Sequence, residues 1–201
     1  MDLPVLDRLV RALGRLPTVG RRSAERIAVR LVRDRRRGVL SELVDALSLA
    51  RDQLRCCSRC GSITAAERDP CELCTDPRRE DGLLCVVEDP GDVLRMEEAG
   101  GFRGRYHVLM GTLSPMRGDG PENLRVQALL ERVASEEVTE VVLALNTDVE
   151  SDATAAYLRQ VLRERDVRVS RAAMGIPAGG GISYADPVTL QHAIEERREL
   201  R

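Results

Sequence analysis

Apolar residues recur at helical spacing along the first quarter of the chain. Leu3, Leu6, Leu9, Val10 and Leu13 make one stripe. Ala24, Ile27, Ala28, Leu31 and Val32 make a second, in a helix expected to start at Ser23. Leu40, Leu43, Val44, Leu47 and Leu54 make a third near 39–54. The stretch Gly14–Gly20 breaks the first stripe from the second. From residue 82 the pattern shortens. Leu83–Val87, Tyr106–Met110, Glu140–Leu145 and Val167–Ser170 are brief apolar runs that predict strands. Asp92–Ala99, Glu122–Val133 and Ala153–Arg163 predict the helices between them. Strands alternating with helices predict a mostly parallel sheet with right-handed crossovers. A Gly-rich stretch follows from Gly175, and Pro187–Leu200 predicts a terminal helix. The expected class is therefore a multi-part α+β chain: a helical region at 1–55, a cysteine segment at 56–76, an α/β domain at 80–174 and an arm with a helix at 175–201.

The cysteines add the first chemistry. CSRC (57–60) and CELC (71–74) place two C-x2-C pairs ten residues apart. Two intervening residues let both thiolates of a pair reach one ion from a tight turn, and two such turns complete a tetrahedron. Gly61 after the first pair and Pro70 before the second suit such turns. Cys57, Cys60, Cys71 and Cys74 are thus expected to hold one structural zinc, a C4 zinc finger with no open position for catalysis. Cys56 would give C-x3-C spacing, so Cys57 is the expected ligand. Cys85 sits in the buried-strand pattern LLCVV and reads as a core residue. The gap has too few apolar residues for its own core, so metal binding should supply folding free energy on the order of 10 kcal/mol.

Charge is informative through its distribution. All 31 basic residues are arginine. The absence of lysine excludes a Walker A loop and Schiff-base chemistry. Two histidines, His107 and His192, leave no HExxH pair. Phe102, Tyr106, Tyr157 and Tyr184 are too few for a base-stacking platform. Residues 16–37 hold eight arginines (21, 22, 26, 30, 33, 35, 36 and 37) against Glu25 and Asp34, a local charge of 8 − 2 = +6. They follow LPTVG (16–20), a turn between two helices. This is the layout of a helix-hairpin-helix, whose turn amides and helix N-terminus face a nucleic-acid phosphate. Such contacts read no sequence.

In the α/β segment Glu88 ends the first expected strand, and Asn146, Asp148, Glu150 and Asp152 follow the third. Polar groups beyond the strands' carboxyl ends share one edge of a parallel sheet. A Glu facing clustered acids there suits Mg²⁺ and is the layout of the Toprim fold. The competing reading is helix capping by Ser151 or Asp152. The chain has no apolar run of membrane-spanning length and no signal-peptide layout, so it is expected to be soluble and cytoplasmic, with no membrane partner.

Taken in order, the hairpin, the four-cysteine knuckle and the Toprim-like segment resemble the bacterial recombination mediator family RecR. DPRREDGLLCVVEDPGDV (76–93), GRYHVLMGTLSPMRGDGPENLR (104–125), NTDVESDATAAYL (146–158) and GIPAGGGISYADPVTL (175–190) carry the resemblance over nearly the whole chain. It implies a non-enzymatic, sequence-independent DNA-binding clamp for DNA repair and recombination. That clamp acts with RecO and RecF to load RecA onto DNA coated by single-strand-binding protein. It implies self-association as a dimer or homotetramer ring, with the C-terminal arm exchanged between subunits. Arg22 and Arg26 match the family's DNA-contacting positions, and Glu88, Glu150 and Asp152 its Toprim acids, tied to RecO contact. The sequence departs from the family pattern at Thr18, usually glycine, and at Thr147, Ser151, Met174 and Ser183. The alternative is a Mg²⁺-dependent nuclease or primase-like enzyme built on Glu88 and the acids at 148–152. No tyrosine has an evident activating base, which weighs against it. A zinc-stabilised RNA-binding adaptor is a third reading, because phosphate contacts alone do not distinguish DNA from RNA.

Overall fold

The computed structural model describes residues 3–34, 36, 38–173, 175–176, 179–195 and 197. Arg35 and Arg37 of the basic run, Met174, and the expected helix end at Leu200 lie outside the described residues. The chain divides into two compact units, Met1–Arg55 and Cys56–Arg201.

The first unit is helical: α1 (Pro4–Leu13), α2 (Arg21–Arg33) and α3 (Gly38–Gln53). Pro4 opens α1 at a position where its missing N–H costs nothing. The buried residues Ala24, Ala28 and Leu31 line one face of α2 at helical spacing. Gly14 ends α1, where a Cβ would sit 3.3 Å from the Val10 carbonyl. The turn between α1 and α2 closes through Val19 N–H donating to the Leu16 carbonyl at 3.1 Å. Thr18 sits in that turn at φ 65°, the left-handed region that disfavours a β-branched residue. On α3, Val39, Leu43, Val44, Leu47 and Leu49 all remain exposed.

The second unit begins with a two-stranded ribbon, β1 (Leu54–Cys56) with β2 (Ile63–Ala65), and a short helix α4 (Glu72–Thr75). A four-stranded sheet follows in the order β4-β3-β5-β6, all parallel: β3 (Glu80–Val87), β4 (Gly104–Val108), β5 (Glu140–Leu143) and β6 (Arg168–Arg171). Helices α5 (Pro90–Ala99), α6 (Val126–Ser135) and α7 (Val149–Leu162) connect them, and α8 (Pro187–Glu195) ends the described chain. Side chains alternate across β3 with period two. Leu84 and Val86 pack with Leu129, Val141, Leu158 and Leu162 on the face toward α6 and α7. Cys85 and Val87 pack with Val93, Tyr106 and Val108 on the other. A central strand buried on both faces reads as a continuous apolar run, which is why LLCVV showed no alternation in polarity. Burial pushes the Cys85 thiol up to about 12, so it stays an apolar filler.

Several boundaries differ from the sequence expectation for local reasons. The strand expected through Met110 ends at Val108, because Met110 turns to φ 68°. The helix expected from Glu122 starts at Val126: Pro121–Asn123 form a separate 3-10 turn, and Leu124 is extended. α7 starts at Val149 rather than Ala153, and its cap is Asp148 rather than Ser151 or Asp152. No helix among the described residues is long and apolar enough to cross a membrane.

Candidate functional site

The four sulfurs of Cys57, Cys60, Cys71 and Cys74 lie within 4.8 Å of one another, and all four residues are buried. Cys60 and Cys71 Sγ are 3.5 Å apart, and Cys57 and Cys74 Sγ 4.0 Å. A tetrahedral ion held at about 2.3 Å by each thiolate would set its ligands about 3.8 Å apart, so the donor set fits one metal ion. Exposed Cys56 lies outside the cluster. Two amides face the sulfurs: Ser62 N–H to Cys60 at 3.4 Å and Cys71 N–H to Cys57 at 3.3 Å. The first turn closes through Gly61 N–H to the Cys57 carbonyl at 2.9 Å, with Gly61 at φ 85°. A Cβ at Gly61 would collide with the Arg125 guanidinium. Hydrogen bonding to Cys60 leads the effects that hold the Cys71 thiol well below its usual range.

Arginines fasten this knuckle to the sheet. Arg125 Nη2 donates to the carbonyls of Ser58 and Arg59 at 2.8 and 3.1 Å. Arg105 donates to the Cys74 carbonyl and pairs with Asp81. Arg59 and Arg132 share Glu136, at 2.9 and 3.0 Å. Burial pulls the Glu136 carboxyl up, but hydrogen bonds from Arg132 and Arg59 outweigh it and the net direction is down. Arg132 also donates to the Tyr106 carbonyl at 2.7 Å. Val108 N–H donates to the Cys60 carbonyl at 2.8 Å, which carries β4's hydrogen bonding into the knuckle. His107 beside it is fully buried, with its Nε2 2.9 Å from the Arg125 carbonyl. Burial drives its pKa down to about 3.

The basic face lies on α2. Arg22 and Arg26 are joined at helical spacing by Arg30 and Arg33, and all four line a groove of about 730 Å³. The nearby acid Glu25 is paired to Arg21 at 3.2 Å. Among the described residues, none of the four grooved arginines meets a carboxylate. The N-cap is Gly20, which has no side chain to satisfy the first-turn amides. An uncapped N-terminus with its partial positive charge is a place for an anion. Arg30 and Arg33 were counted in the basic run without a role, although their spacing from Arg26 put them on its face.

The acids at the sheet edge are arranged differently from the expectation. Glu88 is 7% exposed, and both its oxygens accept from Asn146: Oε1 from the backbone N–H at 2.8 Å and Oε2 from Nδ2 at 2.6 Å. Asp148 Oδ1 caps α7 by accepting from Ser151 N–H at 2.9 Å, which holds its carboxyl below the usual range. Asp152 accepts from Arg171 at 2.7 Å, and the same guanidinium nitrogen reaches the Asn146 carbonyl at 3.2 Å. The structure therefore does not bring Glu88, Glu150 and Asp152 together as a ligand set. Among the described residues, the four cysteines form the one group whose ligand atoms converge. Asn146 was placed at this edge from the sequence without its clamping role. Arg171, twenty-five residues further on, left no sequence signal.

Comparisons with known proteins match the same three regions. Residues 6–51 match the family described as RecR, helix-hairpin-helix; residues 82–173 match the Toprim domain; and residues 175–198 match RecR, C-terminal. A protein of Desulforudis audaxviator named recombination protein RecR is 49% identical over 195 residues, covering 97% of each chain. One of the same name from Syntrophotalea carbinolica is 47% identical over 197 residues, 98% of each chain. Another from Thermobifida fusca is 47% identical over 195 residues, 97% of this chain and 96% of its own.

Proposed function

The chain belongs to the RecR family of recombination proteins, and on that premise we propose that it is a non-catalytic DNA clamp that mediates recombinational repair. The observation that carries the DNA contact is the unpaired arginine row at the uncapped start of α2. Free guanidiniums beside exposed amides suit phosphate oxygens, and they bind DNA without reading its sequence. Arg22 and Arg26 are the proposed contacts nearest the helix end. The four-cysteine cluster is proposed to hold zinc, whose tetrahedral all-sulfur preference the sulfur spacing suits. Four ligands leave no position for substrate, so that ion would be structural.

The proposed organisation has four parts: the helical DNA-binding region (1–55), the zinc knuckle (56–76), the Toprim-like domain (80–174) and the C-terminal arm (175–201). Exposed apolar residues on α3 and at Ile182, Tyr184 and Val188 support self-association as a dimer or homotetramer ring. Partnership with RecO and RecF in loading RecA, and a cytoplasmic location, are part of the proposal, and family membership supports them. Glu88, Glu150 and Asp152 are the proposed region of RecO contact. Glu88 would then act by positioning Asn146, because its own oxygens are already occupied.

Equilibrium binding of labelled DNA tests the reading. Arg22→Ala with Arg26→Ala should weaken binding at every sequence, with the melting temperature unchanged. Unchanged affinity would place the contacts elsewhere. Mg²⁺-dependent strand cleavage by the purified protein would favour the nuclease or primase-like alternative.

A further inference from the structure

A Toprim-type sheet edge offers its acids to a hard cation, and Mg²⁺ demands near-ideal octahedral placement of free oxygens. Four of the carboxylate oxygens here are already engaged. Glu88 is buried and accepts from Asn146 through both atoms, at 2.8 and 2.6 Å. Asp148 spends Oδ1 on the first turn of α7. Asp152 is bonded to a guanidinium at 2.7 Å.

We infer that this edge carries its own counter-ion: the Arg171 guanidinium stands at Asp152 where a divalent cation would bind, and Asn146 saturates Glu88, so the edge is closed to Mg²⁺. Asn146 joins the two clamps into one network, because its carbonyl accepts from Arg171 at 3.2 Å while its two N–H groups hold Glu88. The backbone fixes Arg171 in place. It ends β6 opposite Leu143, and the next residue, Ala172, donates its N–H to the Leu143 carbonyl at 2.9 Å. A lone exposed ion pair is worth little. This one is doubly anchored, and an entering cation would have to expel a fixed positive charge of the chain itself. Buried Glu88 could turn toward a metal only by abandoning the Asn146 backbone donor. Arg117 adds positive charge near the same edge, close enough to act on Asp148 after the Ser151 amide has done so. The inference concerns residues other than the α2 arginines, so the DNA-clamp reading and this one fail separately.

The test is metal binding by the zinc-loaded full chain, with Mn²⁺ as probe by electron paramagnetic resonance and Mg²⁺ by calorimetry. The wild type should show no saturable site across the millimolar range. Arg171→Ala should bind Mn²⁺ at least tenfold more tightly than the wild type, and Asp152→Asn in that background should abolish the gain. Arg171→Lys, which keeps the charge, should stay closed. If Arg171→Ala fails to fold, Arg171→Gln serves, with melting temperature and zinc content as controls. A wild-type Mn²⁺ site sensitive to Asp152→Asn would overturn the inference. So would a folded Arg171→Ala or Arg171→Gln chain that binds Mn²⁺ no better than the wild type.

Discussion

On α2, Arg22, Arg26, Arg30 and Arg33 line one groove whose acid, Glu25, is already held by Arg21. In the second unit, Arg59, Arg79, Arg105, Arg132 and Arg171 each hold a carboxylate and a backbone carbonyl or a shared partner. The residue type is the same, and the chain has no lysine to divide the work. What differs is the surroundings. Around the knuckle, carbonyls turned inward by two cysteine turns need donors, and a planar guanidinium satisfies several at once. On α2 the neighbouring backbone is helical and self-satisfied, so the guanidiniums stay available. Arginine's planar fork thus serves structure where unsatisfied acceptors are buried, and is left free where they are absent.

The largest effect expected concerns the knuckle those arginines surround. Cys60→Ser, or chelation of the ion, should remove folding free energy on the order of 10 kcal/mol from that segment. A melting temperature unchanged by either would contradict a structural metal.

Next comes a direct contrast of the two arginine populations. Arg132→Ala leaves Glu136 with Arg59 alone and the buried Tyr106 carbonyl without its donor, and should cost about 1–3 kcal/mol by denaturant melt. Arg30→Ala should stay within about 0.5 kcal/mol of wild type, as exposed positions do. Equal losses in the two variants would erase the distinction.

The effect of His107 shows only in acid. Its folded-state pKa of about 3 lies below the ordinary 6.5, so between those values the unfolded chain takes up a proton that the folded chain refuses. Stability contributed by neutral His107 is whole above 6.5 and is lost as pH falls toward 3, by up to about 1.4 kcal/mol per pH unit. His107→Gln should flatten that acid limb of a stability–pH profile relative to wild type. Parallel limbs would show that His107 is not the group responsible.

Thr18→Gly is the mildest change. Relief of the left-handed backbone at φ 65° should raise stability by about 1 kcal/mol. A loss on thermal melting would mean that the Thr18 side chain supports the turn.

Much of this was legible in the chain. Short apolar runs against stripes of period 3.6 separated sheet from helices, and the double C-x2-C spacing named the sulfurs that converge. The bonds that decide chemistry were less so. Helix N-terminal signals pointed to Ser151 or Asp152, and only backbone geometry selects Asp148. The pairing of Arg171 with Asp152 depends on parallel register, Leu143 opposite Arg171, which brings residues from different strands together without any spacing rule. Acids at one sheet edge can likewise be counted from sequence, but the donors bonded to them cannot.

The free arginines of α2 remain the central claim, and the salt dependence of DNA affinity tests them most directly. Each phosphate neutralised adds about 0.9 to the slope of log affinity against log salt on duplex DNA, and about 0.7 on single strands. Arg22→Ala with Arg26→Ala should lower that slope by about one to two units with the melting temperature unmoved. A slope equal to wild type, in a folded double variant, would show that these arginines do not hold the DNA.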